Sequence, residues 1–340
     1  MRGLCRRKDG LMKEITRIIT EKTVRKFITI EDAIGRIEDT WRWYGEGKIV
    51  MPTKVTTDMS SVGIESWFNS MPSYIGPSDM AGLKVVGGYS ENAANGLPYI
   101  RATMVLLDSH SGYLKAVMAG DTISAYRTGA QPAVICKYMA ASTAVVTIIG
   151  AGFQAHMTLK CMAAVLDIKE VRVCDIRPEA RKKFVEDYKD YPFRMVDCET
   201  NEEGCLGSDV IITITTADAA LVEEPWVKKG ALVLTMGSYT EISEELVLKA
   251  DKLFVDHMGQ GLHRGNFKAM VDAGKITADS FAGVITDIVA GKTKGRENPD
   301  ERIIVAIVGM GSLDLSLAAL IYERAIDSGE DVLTVEMETG

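Results

Sequence analysis

The sequence is short of the residues that build covalent or metallic frameworks. Its six cysteines, Cys5, Cys136, Cys161, Cys174, Cys198 and Cys205, follow no paired spacing, and no C-x-x-C occurs. This excludes a disulfide scaffold and reads as reduced thiols in a cytoplasmic protein. There are only four histidines, His110, His156, His257 and His263, with no H-E-x-x-H and no ligand rhythm between His257 and His263, so no metal site is predicted. No apolar run approaches the roughly 18 residues of a membrane helix. A formal net charge of −8 excludes a nucleic-acid surface. Repeats and low-complexity segments are absent. The basic start, M-R-G-L-C-R-R-K-D-G-L-M, has no apolar core and is not a secretory signal. Residues 1–11 read as a disordered extension, or as sequence upstream of a start at Met12.

What is present is ordinary globular composition, 46% apolar and 25% charged, at a length of 340 residues that suggests two domains. Thr29 reads as the N-cap of a helix whose stripe is Ile30, Ala33, Ile34, Ile37, Trp41 and Tyr44. Residues 50–120 read as strands, with a hairpin of 99–108 and 113–119 turning at His110. A helix capped by Asp121 follows, and Pro132 inside it predicts a kink or a restart. From 144 onward strands alternate with helices. The runs 144–149, 170–175, 194–198, 209–215, 231–236, 252–256 and 303–308 predict a doubly wound parallel α/β sheet. Helix 313–328 and strand 331–337 close the chain.

The stretch T-I-I-G-A-G-F-Q-A-H (147–156) is a G-x-G-x-x-A dinucleotide fingerprint. It follows a strand and opens a helix within a βαβ unit, the context that gives the pattern meaning. Gly150 permits the turn, Gly152 lets the backbone approach a pyrophosphate, and Ala155 keeps helix and strand close. Phe153 and Gln154 begin the helix, whose free N–H groups face the anion. Asp175, ending the second strand, can hold both ribose hydroxyls and favours NAD; Arg177 leaves NADP open. Thr215 and Thr216, and then Met236, Gly237, Ser238 and Tyr239, lie at carboxyl ends of strands, where open α/β sheets bind ligands.

A-G-L-K (81–84), E-N-A-A-N-G-L-P (91–98), A-G-D-T-I-S-A-Y-R-T-G-A (119–130) and I-I-G-A-G-F-Q-A (148–155), in this order, resemble the ornithine cyclodeaminase/mu-crystallin family. The resemblance implies a Rossmann dinucleotide-binding domain, 131–310, inserted in an α+β substrate and dimerisation domain, 12–130 with 311–340, and a homodimer. It also implies that Lys84 and Arg127 flank a substrate carboxylate and that Lys84 can protonate the reacting centre. Physical chemistry points the same way, since cations in apolar segments need a partner or a ligand anion, and Arg suits bidentate carboxylate binding. Lys54 resembles a third family cation and reads equally as a solvated lysine. Asn69 falls where cyclodeaminases carry a glutamate. Asp314 resembles an acid near the nicotinamide and reads equally as a helix N-terminal charge. Asn92 looks like a loop-fixing residue. Trp67, Phe68, Met71, Tyr89 and Tyr239 are candidate pocket walls.

Tyr239 stands where cyclodeaminases have a catalytic Asp. A phenol, with a reference pKa of about 10, is a poor base at neutral pH but can donate a hydrogen bond. Glu241, two residues on, offers an acid displaced into that role and reads more simply as a cap for the following helix. The substitution disfavours cyclodeamination and leaves hydride transfer intact. The leading expectation is an NAD(P)-dependent oxidoreductase interconverting a small α-amino acid and its imine, with Lys84, Arg127 and Tyr239 as catalytic candidates and Lys54, Asn69 and Asp314 joining them at the substrate. The alternatives are ornithine cyclodeaminase and a mu-crystallin-like small-ligand binding protein.

Overall fold

The computed structural model describes residues 4–6, 12–237, 239–329 and 332–337, with 4–6, 12, 13 and 93 described by their backbone alone. The chain divides into two compact units, Met1–Arg127 with Met310–Gly340, and Thr128–Gly309.

The first unit is built on strands β1 (Leu4–Arg6), β2 (Met12–Ile19), β3 (Ile49–Val50), β4 (Val55–Asp58), β5 (Ser66–Ile75), β6 (Met80–Tyr89), β7 (Ile100–Asp108) and β8 (Leu114–Ala119). β5 to β8 form an antiparallel meander. β2 lies parallel to β8, and both β3 and β4 pair with β5. β1 pairs antiparallel with β2, so this part of the extension expected to be disordered is a strand. Residues 1–3 and 7–11 lie outside the described residues.

Register decides which side chains share a face. Met71 lies opposite Lys84, and Lys84 opposite Met104, while Asn69 lies opposite Val86 and Trp67 opposite Gly88. Residues two apart on a strand share a face, so Trp67, Asn69, Met71, Lys84 and Met104 are on one side. Phe68 and Tyr89 are on the other.

Two of the helices beside this sheet bear on the site. Ile30–Gly45 starts in a capping box, where the Thr29 hydroxyl accepts from the Asp32 N–H and the Asp32 carboxylate from the Thr29 N–H. Its buried stripe is Ala33, Ile34, Ile37 and Trp41, four of the six positions that the spacing marks. The second helix, Gly311–Asp327, is buried along most of its length and lies against β5, β6 and β7. Glycine lets it come close: a Cβ on Gly82 would sit 2.1 Å from the Val105 carbonyl oxygen and 2.9 Å from Leu315.

The helix Asp121–Met139 carries the chain into the second unit. It is not capped by its own Asp121. The Glu21 carboxylate accepts from the N–H groups of Asp121 and Thr122, while Asp121 accepts from the Ala102 N–H. Nor does Pro132 restart it: one helix runs through the proline. Pro132 forfeits a backbone bond, but Ala130, Ala133, Val134, Ile135 and Cys136 are all buried around it, and their packing holds the helical path.

The second unit holds β9 (Val145–Ile149), β10 (Glu170–Cys174), β11 (Arg194–Asp197), β12 (Val210–Thr213), β13 (Leu232–Thr235), β14 (Lys252–Val255), β15 (Gly283–Val284) and β16 (Ile303–Ala306). All pairings are parallel, in the order β11-β10-β9-β12-β13-β16-β14-β15. From β9 the chain adds β10 and β11 on one side and then crosses to place β12 on the other, so the topological switch point lies between β9 and β12. That is where open α/β sheets bind ligands. The chain then returns to the first unit, where β17 (Leu333–Glu336) pairs with β2.

Gly82→Ala should therefore lower the stability of the first unit by about 3 kcal/mol or more, the cost of forcing a methyl into closed backbone. Urea unfolding of the variant beside the parent chain checks this.

Candidate functional site

In the first unit, three distant sequence positions meet. Lys84 comes from β6, Arg127 from the helix Asp121–Met139, and Asp314 from the first turn of Gly311–Asp327. Lys84 Nζ donates to Asp314 Oδ1 at 2.7 Å and Arg127 Nε to the same oxygen at 3.1 Å. The Ser124 hydroxyl donates to it at 3.3 Å. Lys84 and Asp314 are both fully buried, and the Arg127 side chain is 14% exposed.

The electrostatics are unbalanced in a definite sense. Burial drives the Lys84 ammonium down from its ordinary value to about 8, against the attraction of Asp314 and with the help of the Arg127 and Lys54 charges. Burial also pushes the Asp314 carboxyl up, but the Arg127 and Lys84 charges and their hydrogen bonds outweigh it and hold the group below its usual range. The Asp314 position near a helix N-terminus favours the same anion. Two cations thus face one carboxylate, and the cluster keeps an excess positive charge that an incoming anion would neutralise. Asp314 Oδ2 is buried and accepts no hydrogen bond. An unsatisfied acceptor of this kind costs about 1–3 kcal/mol, so it favours a ligand carrying an N–H.

The other residues predicted at this site divide by face. Asn69 and Met71 are buried on the Lys84 side, and Trp67 is half-buried on the same side. The half-buried Lys54 precedes β4, and its charge acts on Lys84. Phe68 and Tyr89, expected as pocket walls, lie on the opposite face, because strand parity turns them away. Asn92 donates to the Pro98 carbonyl at 2.7 Å and so closes its own loop.

In the second unit, the turn after β9 is a cradle. Gly150 has φ +106°, and a Cβ there would lie 2.6 Å from the Ile214 carbonyl oxygen at the end of β12. A side chain cannot be tolerated there. At Gly152 a Cβ would meet nothing within 4 Å, so the backbone is open just where an anion would approach. The helix Phe153–Val165 begins there, with Ala155 buried and Phe153 exposed. Gln154 Oε1 is buried without a partner. Asp175 accepts from the Ala151 N–H at 2.8 Å and from the Arg177 N–H and guanidinium, at 2.9 and 3.2 Å. Burial raises the Asp175 carboxyl, and these bonds lower it further than burial raises it. A dinucleotide fits this loop, where an open anion cradle sits beside an anchored acid.

Glu241 is where the residues differ from expectation. It does not cap the next helix, Glu244–Leu248, whose cap is Ser243. Instead Glu241 is fully buried; Thr215 donates to it through its N–H and hydroxyl at 2.9 and 2.7 Å, and Thr213 through its hydroxyl at 2.9 Å. Its own N–H donates to Asn266 Oδ1 at 2.6 Å. Burial pushes its carboxyl up, against those bonds. Glu241 therefore ties the end of β12 to the loop after β13, and the Thr215 hydroxyl is spent on it. Thr216 is exposed, Met236 and Gly237 are half-buried, and Ser238 lies outside the described residues. Tyr239 is 38% exposed. The sequence showed only an acid before a helix; its burial is a property of the fold. Among the described residues there is no cluster fit to hold a metal, and no helix is long and apolar enough to cross a membrane.

Comparison with known proteins adds to this geometry. A model of the ornithine cyclodeaminase/mu-crystallin family matches residues 14–329. Alanine dehydrogenase of Archaeoglobus fulgidus is 31% identical over 316 residues, 92% of this chain and 95% of its own. The structure of Thermococcus litoralis Δ1-pyrroline-2-carboxylate reductase in complex with NADH and L-proline is 30% identical, with a TM-score of 0.86 over 95% of this chain and 100% of that one. An archaeal alanine dehydrogenase dimer with bound NAD is also 30% identical, with a TM-score of 0.87 over 94% of this chain and 99% of that one.

Asp314→Asn removes the one anion shared by two buried or nearly buried cations. Such a loss costs about 3–5 kcal/mol, so chemical denaturation should show a drop of that order.

Proposed function

The chain belongs to the ornithine cyclodeaminase/mu-crystallin family, and from that premise and the cation site we propose that it is an NAD-dependent oxidoreductase interconverting a small α-amino acid and its imine. The observation that carries this reading is the buried Lys84–Asp314–Arg127 cluster, which holds one more positive than negative charge and a lysine poised near pH 8.

Arg127 and Lys84 bind the substrate carboxylate and fix the α-carbon. The bound dinucleotide supplies or takes up the hydride. In the reducing direction the imine carbon gains hydride, its nitrogen gains a proton, and C=N becomes CH–NH. Lys84 gives a proton toward the reacting centre from Nζ; in reverse, as the neutral amine, it accepts one. Its depressed value serves both directions at neutral to mildly alkaline pH. Asp314 stabilises the ammonium form through Oδ1 and offers Oδ2 to a ligand N–H. The turn at Gly150–Gly152 takes the pyrophosphate, and Asp175, anchored to that turn, takes the ribose; Arg177 pairs with Asp175 on its exposed side. Glu241 holds the strand-end loops in place. Tyr239, a phenol where the resemblance puts a cyclodeaminase acid, supports redox chemistry over ring-closing deamination. We also infer a homodimer, supported by the half-buried apolar outer face of the meander at Leu83, Val85, Val105 and Val117, and a cytoplasmic setting, supported by buried cysteines held as thiols outside any disulfide.

NADH consumption with cyclic imines, and with 2-oxo acids plus ammonium, tests this directly. Turnover is expected, and ammonia release from ornithine without net cofactor change would replace the reading. The pH profile follows from Lys84. The kcat/KM for reduction needs its proton and falls as pH rises through about 8, while that for amino-acid oxidation needs the free amine and rises through the same value. Arg127→Ala should raise the substrate KM or abolish turnover while NADH binding, followed by fluorescence, persists; equal loss of both would put Arg127 elsewhere.

A further inference from the structure

The carboxylate end of the substrate leaves open what its side chain meets, and Asn69 bears on that. Asn69 is 8% exposed, on the Lys84 face of the sheet, two residues along β5 from the position opposite Lys84. On its other flank β4 places Thr56 directly opposite it. The Thr56 hydroxyl oxygen and Asn69 Oδ1 are 2.6 Å apart. That spacing belongs to an O–H···O bond, since N–H···O bonds run at about 2.7–3.2 Å. The Asn69 oxygen is therefore turned toward β4 and accepts from Thr56. Its NH2, a donor of two hydrogens and an acceptor of none, is turned away from β4.

On β5 and β6 the same-face neighbours add no acceptor, and Asp58, on this face of β4 opposite Trp67, is exposed and accepts from the Ser60 N–H at 2.9 Å. Met71 and Val86 are apolar, and the Trp67 indole N–H already points at the Tyr99 hydroxyl, 3.4 Å away. Lys54, two residues before Thr56, adds a positive potential that reaches Lys84. A cationic side chain, as in ornithine, would meet a donor and like charge. A purely apolar one would leave the Asn69 NH2 desolvated without a partner, which is costly. An anionic side chain satisfies both.

We propose that Asn69 is a specificity-determining residue that donates from Nδ2 to a side-chain carboxylate, so that the preferred substrates are 2-imino and 2-amino dicarboxylic acids of four or five carbons. This rests on the oxidoreductase reading above and names its substrate class.

The test uses the full chain with NADH, ammonium and, in turn, oxaloacetate, 2-oxoglutarate and pyruvate, and separately with Δ1-pyrroline-2-carboxylate. One dicarboxylate should exceed pyruvate and the cyclic imine in kcat/KM by about 10-fold or more, the worth of a hydrogen bond to a charged group. Asn69→Asp, which puts an acceptor and a negative charge in the same volume, should collapse that ratio by about 10- to 100-fold, mainly through KM. Asn69→Leu should collapse it too, and covers the case in which the aspartate variant does not fold. Thr56→Val, which frees the amide to rotate, should lower the ratio by a few-fold. Preference for pyruvate or the cyclic imine, or a ratio that Asn69→Asp and Asn69→Leu leave unchanged, overturns the proposal while the oxidoreductase reading stands. Absence of NADH consumption with every substrate overturns both.

Discussion

One carboxylate oxygen, Asp314 Oδ1, is shared by an ammonium, a guanidinium and a hydroxyl in a place from which water is excluded. The arrangement of the first unit serves that meeting. The sheet must present Lys84 inward, one helix must deliver Arg127, and another must bring its N-terminal turn down onto β5 and β6. Glycine makes the last step possible: a Cβ on Gly311 would sit 2.9 Å from the Met71 carbonyl oxygen, and one on Gly82 would meet Val105 and Leu315. A buried ion cluster is a weak source of stability. Its retention with a surplus cation is better explained by what it binds and by the proton it can move.

The second unit solves a different problem, which is to hold an anion without committing a charge to it. At the switch point between β9 and β12 the chain supplies backbone N–H groups, an open surface over Gly152 and a helix start. Asp175 is tied to the turn itself through the Ala151 N–H, so the acid and the cradle share one rigid geometry. Glu241 does comparable work on the other side, where it joins the ends of two neighbouring strands from a fully buried position. In both cases a carboxylate is used to place backbone.

How much of this was legible in the sequence depends on whether the signal was local. The fingerprint at Gly150, Gly152 and Ala155 was legible because turn, strand and helix adjoin it in sequence. Lys84 and Arg127 stood out as cations among apolar and small residues. What could not be read was set by register and packing. The parity that turns Phe68 and Tyr89 away from Lys84 exists only once β5 and β6 are paired. Asp121 looked like its own helix cap, but the cap came from Glu21, a hundred residues earlier. Pro132 looked like a break, yet buried neighbours kept the helix whole. Glu241 looked like a helix cap because sequence does not show burial. That Asp314 is the shared partner of both cations needed the closing helix, which lies nearly two hundred residues beyond Arg127.

The central claim is that the excess positive charge at Lys84 and Arg127 receives the substrate carboxylate and that Lys84 answers it with its proton. Calorimetric titration of the best 2-oxo acid of the kinetic series into the chain with saturating NAD, near pH 8 and in buffers of differing ionisation enthalpy, measures this directly. An incoming anion should raise the Lys84 value above about 8, so binding should take up protons, and the Lys84→Met variant should show no such uptake. Binding with no proton linkage in the parent chain, or equal linkage in the variant, would contradict the account.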